Sequence, residues 1–240
     1  MMMNSQASHD RFATTRWSMV MRLGDQDSAV ARDALGDLTQ RYWYPVYAFL
    51  RRHGQVPVIA ERTTRAMLQR LVIDDTGGQQ PIASRQYRSH LLERVRSYLA
   101  EGGEPLTDGA TPSAPPDLER RYLRDHDAAS TPDEVFQRSF ALVVIQRTLR
   151  RLRDEAALAG RADLCRALEP FLVRDPESHD FDRLAAQLRC RKVTLIVGLK
   201  RLRQRLKELA ALELTDTVSS ASDLAEEQEA LLALLGDTAA

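Results

Sequence analysis

Residues 189–207 carry eight basic side chains and no acidic one, and all three lysines of the chain (Lys192, Lys200 and Lys207) fall among them. Guanidinium and ammonium groups at this density bind phosphate oxygens and release their counterions. The chemistry open to the segment is therefore polyanion binding. Just upstream, Phe181, Leu184, Ala185 and Leu188 line one face of a short helix expected over 180–188. The connection Arg189-Cys190-Arg191 leads to a second helix, from 192 to about 212, with Leu195, Leu199, Leu202, Leu206 and Leu209 inward. Two helices on a tight turn, the second strongly basic, fit a helix-turn-helix, whose second helix presents its N-terminal residues to base edges. Ala185 is the small residue that close helix packing needs. Arg189 stands where a left-handed glycine is usual. Val193-Thr194-Leu195-Ile196-Val197 is rich in β-branched residues that favour strands locally, a preference the flanking helical pattern overrides. The competing reading is a helical hairpin with a solvated basic face.

Other chemistries find little support. The five histidines (His9, His53, His90, His126 and His179) are scattered, with no H-x-x-x-H or H-E-x-x-H spacing. There is no glycine-rich phosphate loop and no G-x-S-x-G. The expectation is a protein that is not an enzyme and has no metal or cofactor. Two cysteines exclude a disulfide scaffold and a four-cysteine zinc site. Cys165 reads as a buried small hydrophobe, and Cys190, between two arginines, as a candidate reactive thiol.

The elements that must hold the basic segment are helical. At 240 residues and 43% hydrophobic, the chain is long enough for one or two cored domains. Lys+Arg and Asp+Glu both number 34, which excludes a polycation, yet the charge is polarised. Net charge is 0 over 1–50, +5 over 51–100, −6 over 101–135, +8 over 136–210 and −7 over 211–240. Two basic blocks thus alternate with two acidic ones. No uncharged run exceeds nine residues, so no membrane span is expected. Residues 1–10 lack the basic and apolar regions of a secretory signal. The chain reads as soluble and cytoplasmic.

Residues 11–52 read as two helices. Pro45 should kink or break the second near Tyr44. Further helices are expected over 58–72 (Ile59, Met67, Leu68 and Leu71 inward) and 84–100 (Tyr87, Leu91, Leu92, Val95, Tyr98 and Leu99 inward). Residues 74–81 read as a loop, and 102–116 as a flexible linker too polar to offset its ordering entropy. Thr131-Pro132-Asp133-Glu134 is a helix start, with Thr as N-cap and Pro in the first turn. That helix should run to about Ala159 and stop at Gly160. A shorter one follows over 162–172. Residues 213–240 form an acidic tail with a short helix. It either docks on the second domain or covers the basic helix. The expected fold class is all-α: a helical domain over 1–101, a flexible acidic linker over 102–130, a helix-turn-helix domain over 131–212 and the tail.

Several strings together resemble a family. Phe12-Ala13-Thr14-Thr15-Arg16-Trp17-Ser18 and Tyr42-Trp43-Tyr44-Pro45-Val46-Tyr47-Ala48-Phe49-Leu50-Arg51-Arg52 resemble the opening of bacterial extracytoplasmic-function sigma factors. Tyr87-Arg88-Ser89-His90-Leu91-Leu92, Thr131-Pro132-Asp133-Glu134-Val135-Phe136 and Ala167-Leu168-Glu169-Pro170-Phe171-Leu172 resemble later parts, in order and with similar spacing. Arg201-Leu202-Arg203-Gln204-Arg205 resembles the end of the family's recognition helix. The resemblance implies two helical domains on a flexible linker. The first grips the clamp of core RNA polymerase and opens the start-proximal promoter box; the second reads the upstream box on double-stranded promoter DNA. An anti-sigma protein is a further implied partner.

The resemblance places polymerase binding on 60–71, at Arg62, Arg65, Met67 and Leu68. It places start-proximal DNA contacts near Arg88, His90, Arg94 and Arg96. Upstream-box contacts fall on Arg191, Lys192, Thr194, Lys200, Arg201, Arg203 and Arg205. Where the family carries an Asp-Leu-Thr-Gln-type string followed by an acid and two phenylalanines, this chain has Arg62-Thr63-Thr64-Arg65-Ala66-Met67-Leu68. Like-charge juxtaposition at a desolvated contact is costly. The stretch after Tyr98 reads Glu101-Gly102-Gly103-Glu104, where the family is often basic. Ile196 occupies a position that is usually polar or basic. Three readings follow: an initiation factor resembling a sigma factor, a diverged DNA-binding regulator or interaction module, and an unrelated helical scaffold.

Overall fold

The computed structural model describes residues 28–76, 87–102, 116–126, 129–215, 218 and 221–236. The expected first helix within 11–27, most of the 74–81 loop and residues 103–115 of the expected linker lie outside them. The fold is all-α: the described residues form nine α-helices and no strand. They are α1 (Ser28–Arg52), α2 (Pro57–Thr76), α3 (Tyr87–Ala100), α4 (Pro116–Asp125), α5 (Pro132–Leu158), α6 (Ala162–Leu168), α7 (Ser178–Leu188), α8 (Lys192–Thr215) and α9 (Ala221–Gly236). None is long and apolar enough to cross a membrane. The chain divides into two compact units, Met1–Val143 with Leu214–Ala240, and Val144–Glu213. The division runs through α5, which belongs partly to each unit.

In the first unit α1 supplies the core. Leu38, Tyr42, Val46, Tyr47, Ala48 and Leu50 are fully buried. Tyr42 stacks on Phe140 at 5.5 Å and meets Tyr87 edge-on at 5.4 Å. The expected break at Pro45 does not occur: α1 continues through it to Arg52. An interior proline costs about 3 kcal/mol. Tyr42, Tyr47 and Phe49, buried on either side of it, each contribute about 2 kcal/mol and offset that cost. In α2 the buried apolar residues are Ala60, Ala66, Met67 and Leu68.

Residues 116–125, expected within the flexible linker, instead form α4 and pack on α1. Glu119 accepts two hydrogen bonds from the Arg51 guanidinium (2.6 and 2.8 Å) and one from the Tyr47 hydroxyl at 2.8 Å. That contact holds the Glu119 carboxyl below its usual range, chiefly through the Arg51 hydrogen bond. Asp125 accepts the Tyr44 hydroxyl at 3.0 Å, and Arg121 lies over the Tyr44 ring at 3.6 Å. Burial pushes the Tyr44 phenol up, and the Asp125 charge adds to the effect. The acids that read as a solvated linker are thus used on α1, and Tyr122 is buried with them.

His126 ends this network. Its Nε2 is 2.9 Å from the Ser139 hydroxyl. Burial pushes the imidazole down to about 4, with nearby Arg138, Arg121 and Arg52 acting in the same direction and Asp125 opposing them. A histidine held neutral in the fold contributes stability above its ordinary value of 6.5 and loses it as pH falls toward 4. Urea unfolding is expected to show a loss on the order of 1 to 2 kcal/mol between pH 7 and pH 5, allowing for partial solvent access. A His126→Gln variant should lose clearly less over that interval.

The expected helix start holds in detail. The Thr131 hydroxyl accepts the Glu134 amide at 3.3 Å, and the Thr131 amide donates to the Glu134 carboxylate at 2.7 Å. This reciprocal capping box satisfies two amides at the start of α5. α9 packs within the first unit, with Asp223, Glu227 and Leu231 buried.

The second unit comprises the rest of α5, α6, a short 3-10 turn (Glu169–Phe171), α7 and most of α8. Leu152, Ala156, Cys165, Leu168, Phe171, Leu172, Leu184, Leu195, Leu199 and Leu209 form its core. Gly160 takes a φ of +66° two residues beyond α5, a conformation glycine adopts without strain. The single helix expected over 162–172 is shortened to Leu168, and Pro170 sits in the 3-10 turn that follows.

Candidate nucleic-acid interface

The α7–α8 pair is built from local signals. Glu177 and Asp180 form a capping box that starts α7. Leu184 on α7 packs with Leu195 and Leu199 on α8, and Phe181, Ala185 and Leu188 join them half-buried. Arg189 ends α7 in the left-handed region, at φ 50° and ψ 44°. It is the one non-glycine residue with positive φ among the described residues. The Cys190 amide then closes onto the Ala185 carbonyl at 3.1 Å. A left-handed non-glycine residue costs about 1 kcal/mol or more. Arg189→Gly is therefore expected to raise the stability of the second unit by about 0.5 to 1 kcal/mol. A rise in Tm under thermal unfolding would verify it.

The β-branched run 193–197 is helical, within α8. Gly198 lets α8 approach α6 closely: a Cβ there would lie 3.3 Å from Leu168 Cδ1 and 3.5 Å from Leu164 Cδ2.

The basic residues of 189–207 separate into two groups. One group holds the unit together. Lys192 pairs with Asp182 of α7 at 2.8 Å. Arg203 donates to the Phe171 and Arg174 carbonyls and pairs with Asp175 at 2.8 Å. Arg205 grips Glu155 of α5 with two bonds of 2.8 Å, and also reaches Glu208. These bonds hold the Glu155 carboxyl below its usual range. Burial pushes the Cys165 thiol up, in line with a packing role.

The other group is Arg189, Arg191, Lys200, Arg201 and Lys207. All five are exposed, and none makes an ion pair with any described residue. Thr194 is exposed beside them.

Three apolar side chains share this face. Val193, Ile196 and Val197 are 67%, 47% and 42% exposed. At about 100° per residue they lie with Lys200 and Gln204 on the side of α8 opposite Leu195, Leu199 and Leu202. α8 stands between two clefts. One, of about 790 Å³, includes Arg191, Val193, Val197 and Arg201 in its lining. The other, of about 530 Å³, includes Ile196, Lys200 and Lys207. Unpaired cations therefore flank the apolar crest on both sides. Val193 and Val197 join this face by a signal present in the sequence: Val193 stands three positions before Ile196 and four before Val197, and Val197 three before Lys200, out of phase with the leucines.

The sites expected in the first unit are arranged differently. Arg88 is only 9% exposed. It is paired with Glu227 at 2.6 Å, bonded to Gln137 and placed over the Phe140 ring at 5.4 Å. Its guanidinium is engaged inside the unit, at a position where the resemblance placed a DNA contact. Arg96 pairs with Asp133, both half-exposed. Arg94 is exposed and His90 half-buried on the same helix. On α2, Arg65 is exposed and pairs with buried Glu61 at 2.8 Å, and Arg62 is half-buried. Met67 and Leu68 belong to the core, so they carry the helix rather than present a contact surface. Among the described residues no three His, Cys, Asp or Glu side chains are placed to hold a metal ion.

Comparison with family models, with curated proteins and with solved structures finds no match to this chain.

Proposed function

We propose that the protein is a sigma-factor-like transcription initiation protein that binds duplex promoter DNA through a helix-turn-helix formed by α7 and α8. The observation that carries the DNA half is the exposed face of α8 and the turn before it, where Arg191, Lys200, Arg201 and Lys207 have no ion-pair partner among the described residues. A helix about 10–12 Å across fits a major groove about 12 Å wide, and the cations on and beside the exposed face of α8 suit the phosphates that border it. The polymerase half rests on the ordered strings that resemble the sigma family.

A specific observation favours a second reading. Arg62 and Arg65 replace an acid and a glutamine of the family's clamp-binding string, and the exposed Arg65 presents positive charge there. A diverged DNA-binding regulator that does not grip the clamp fits this reversal. Core RNA polymerase binding by the wild type beside the Arg62→Asp, Arg65→Gln variant separates the two. Wild-type binding with promoter-specific initiation supports an initiation factor. Binding by the variant alone supports the regulator.

A further inference from the structure

We infer that α8 reads thymine through its 5-methyl group, with Val193, Ile196 and Val197 as the reading side chains. This rests on the proposed binding of duplex DNA by α8. The three side chains are exposed on the first two turns of α8, the part of a recognition helix that reaches base edges. They hold no hydrogen-bonding atoms, so they cannot pair with the N7, O6, N6 or N4 groups of the major-groove edge. The apolar feature of that edge is the thymine 5-methyl.

Three further properties of the site agree. Among the described residues the cations around the crest are unpaired, whereas Lys192, Arg203 and Arg205 are bound internally. Phosphates and base edges are thus served by different residues of one helix. Side chains branched at Cβ have one preferred χ1 rotamer in a helix, so docking orders them at little entropic cost. Ile196 lies toward one cleft and Val193 and Val197 toward the other, so the apolar contact spans the crest rather than one wall.

The full-length chain is first used to enrich duplexes from a randomised 20-base-pair library. The best binder is then synthesised with each thymine replaced singly by uracil, which deletes the methyl and keeps base pairing. Uracil at one to three positions within a stretch of about four base pairs is expected to weaken binding about fivefold each, about 1 kcal/mol per methyl. The Val193→Thr, Val197→Thr variant keeps side-chain volume and replaces a methyl by a hydroxyl on each residue. It should bind the enriched duplex more weakly and lose the uracil penalty at the positions those residues touch, with its dependence on salt unchanged. Circular dichroism establishes that the variant is folded.

The inference is overturned if uracil at every position leaves affinity within twofold. It is equally overturned if the penalty is the same in the variant, or if the enriched stretch holds no thymine. Unchanged DNA affinity in the variant would also sink it and assign the apolar crest to a protein contact. If no duplex is enriched and binding shows no salt dependence, the DNA-binding reading fails, and the inference with it.

Discussion

Replacing Arg88 by alanine is expected to destabilise the first unit by about 3 to 4 kcal/mol, the usual range for leaving one member of a buried ion pair alone. The Arg88 and Glu227 side chains are only 10% and 3% exposed, and their atoms meet at 2.6 Å. Removing the guanidinium strands the carboxylate of α9 and empties the space over the Phe140 ring. Burial already pushes the Glu227 carboxyl above its ordinary 4.5, with Arg88 opposing the shift. A carboxyl raised in the fold favours the folded state below that ordinary value, and this contribution falls as pH rises through the folded one. In Arg88→Ala the opposing charge is gone. The deficit against wild type should therefore be largest at pH 7 and shrink as pH falls toward 4.5. The double variant Arg88→Met, Glu227→Leu removes both charges and should recover most of the loss. Urea unfolding at several pH values measures all three proteins. A cost below 1 kcal/mol for Arg88→Ala would mean that the pair does not hold α9 to the unit.

The second large effect is on binding. Arg191→Ala, Lys200→Ala, Arg201→Ala combined is expected to weaken duplex binding about 100-fold near 100 mM salt, on the order of 3 kcal/mol, and to reduce the salt slope by about 2.7. Lys192→Ala and Arg203→Ala should behave differently. Their charges are tied to Asp182 and Asp175, so their loss should lower Tm and leave most of the salt slope intact. Fluorescence anisotropy against a mixed-sequence duplex, paired with thermal unfolding, makes the distinction. A triple variant with wild-type slope would remove α8 from the interface.

What the residues alone disclosed depends on how local each signal is. The Thr131 N-cap and the Gly160 stop lie within a few residues of the ends they determine, and both hold in the structure. The leucine period of α8 likewise fixed which face turns inward. Roles that depend on distant partners could not be read this way. Arg88 meets Glu227 139 positions away, and Arg205 meets Glu155 50 positions away. By residue type each looked as available for phosphate as Arg191 or Arg201. The acids of 117–125 looked like a solvated linker because Arg51, Tyr44 and Tyr47, which donate hydrogen bonds to them, lie some 70 to 80 positions upstream. Pro45 was read by its intrinsic cost, while the burial that offsets it comes from packing against α3 and α5.

The central claim is that α8 presents a phosphate-binding face, and the salt dependence of duplex binding tests it most directly. With the five exposed cations Arg189, Arg191, Lys200, Arg201 and Lys207 engaging phosphates, the logarithm of the binding constant should fall with the logarithm of salt concentration at a slope of about −4.5. Measured on the full-length chain between 50 and 300 mM salt, such a slope is the predicted result. Binding that is absent, or a slope near zero, would contradict the account.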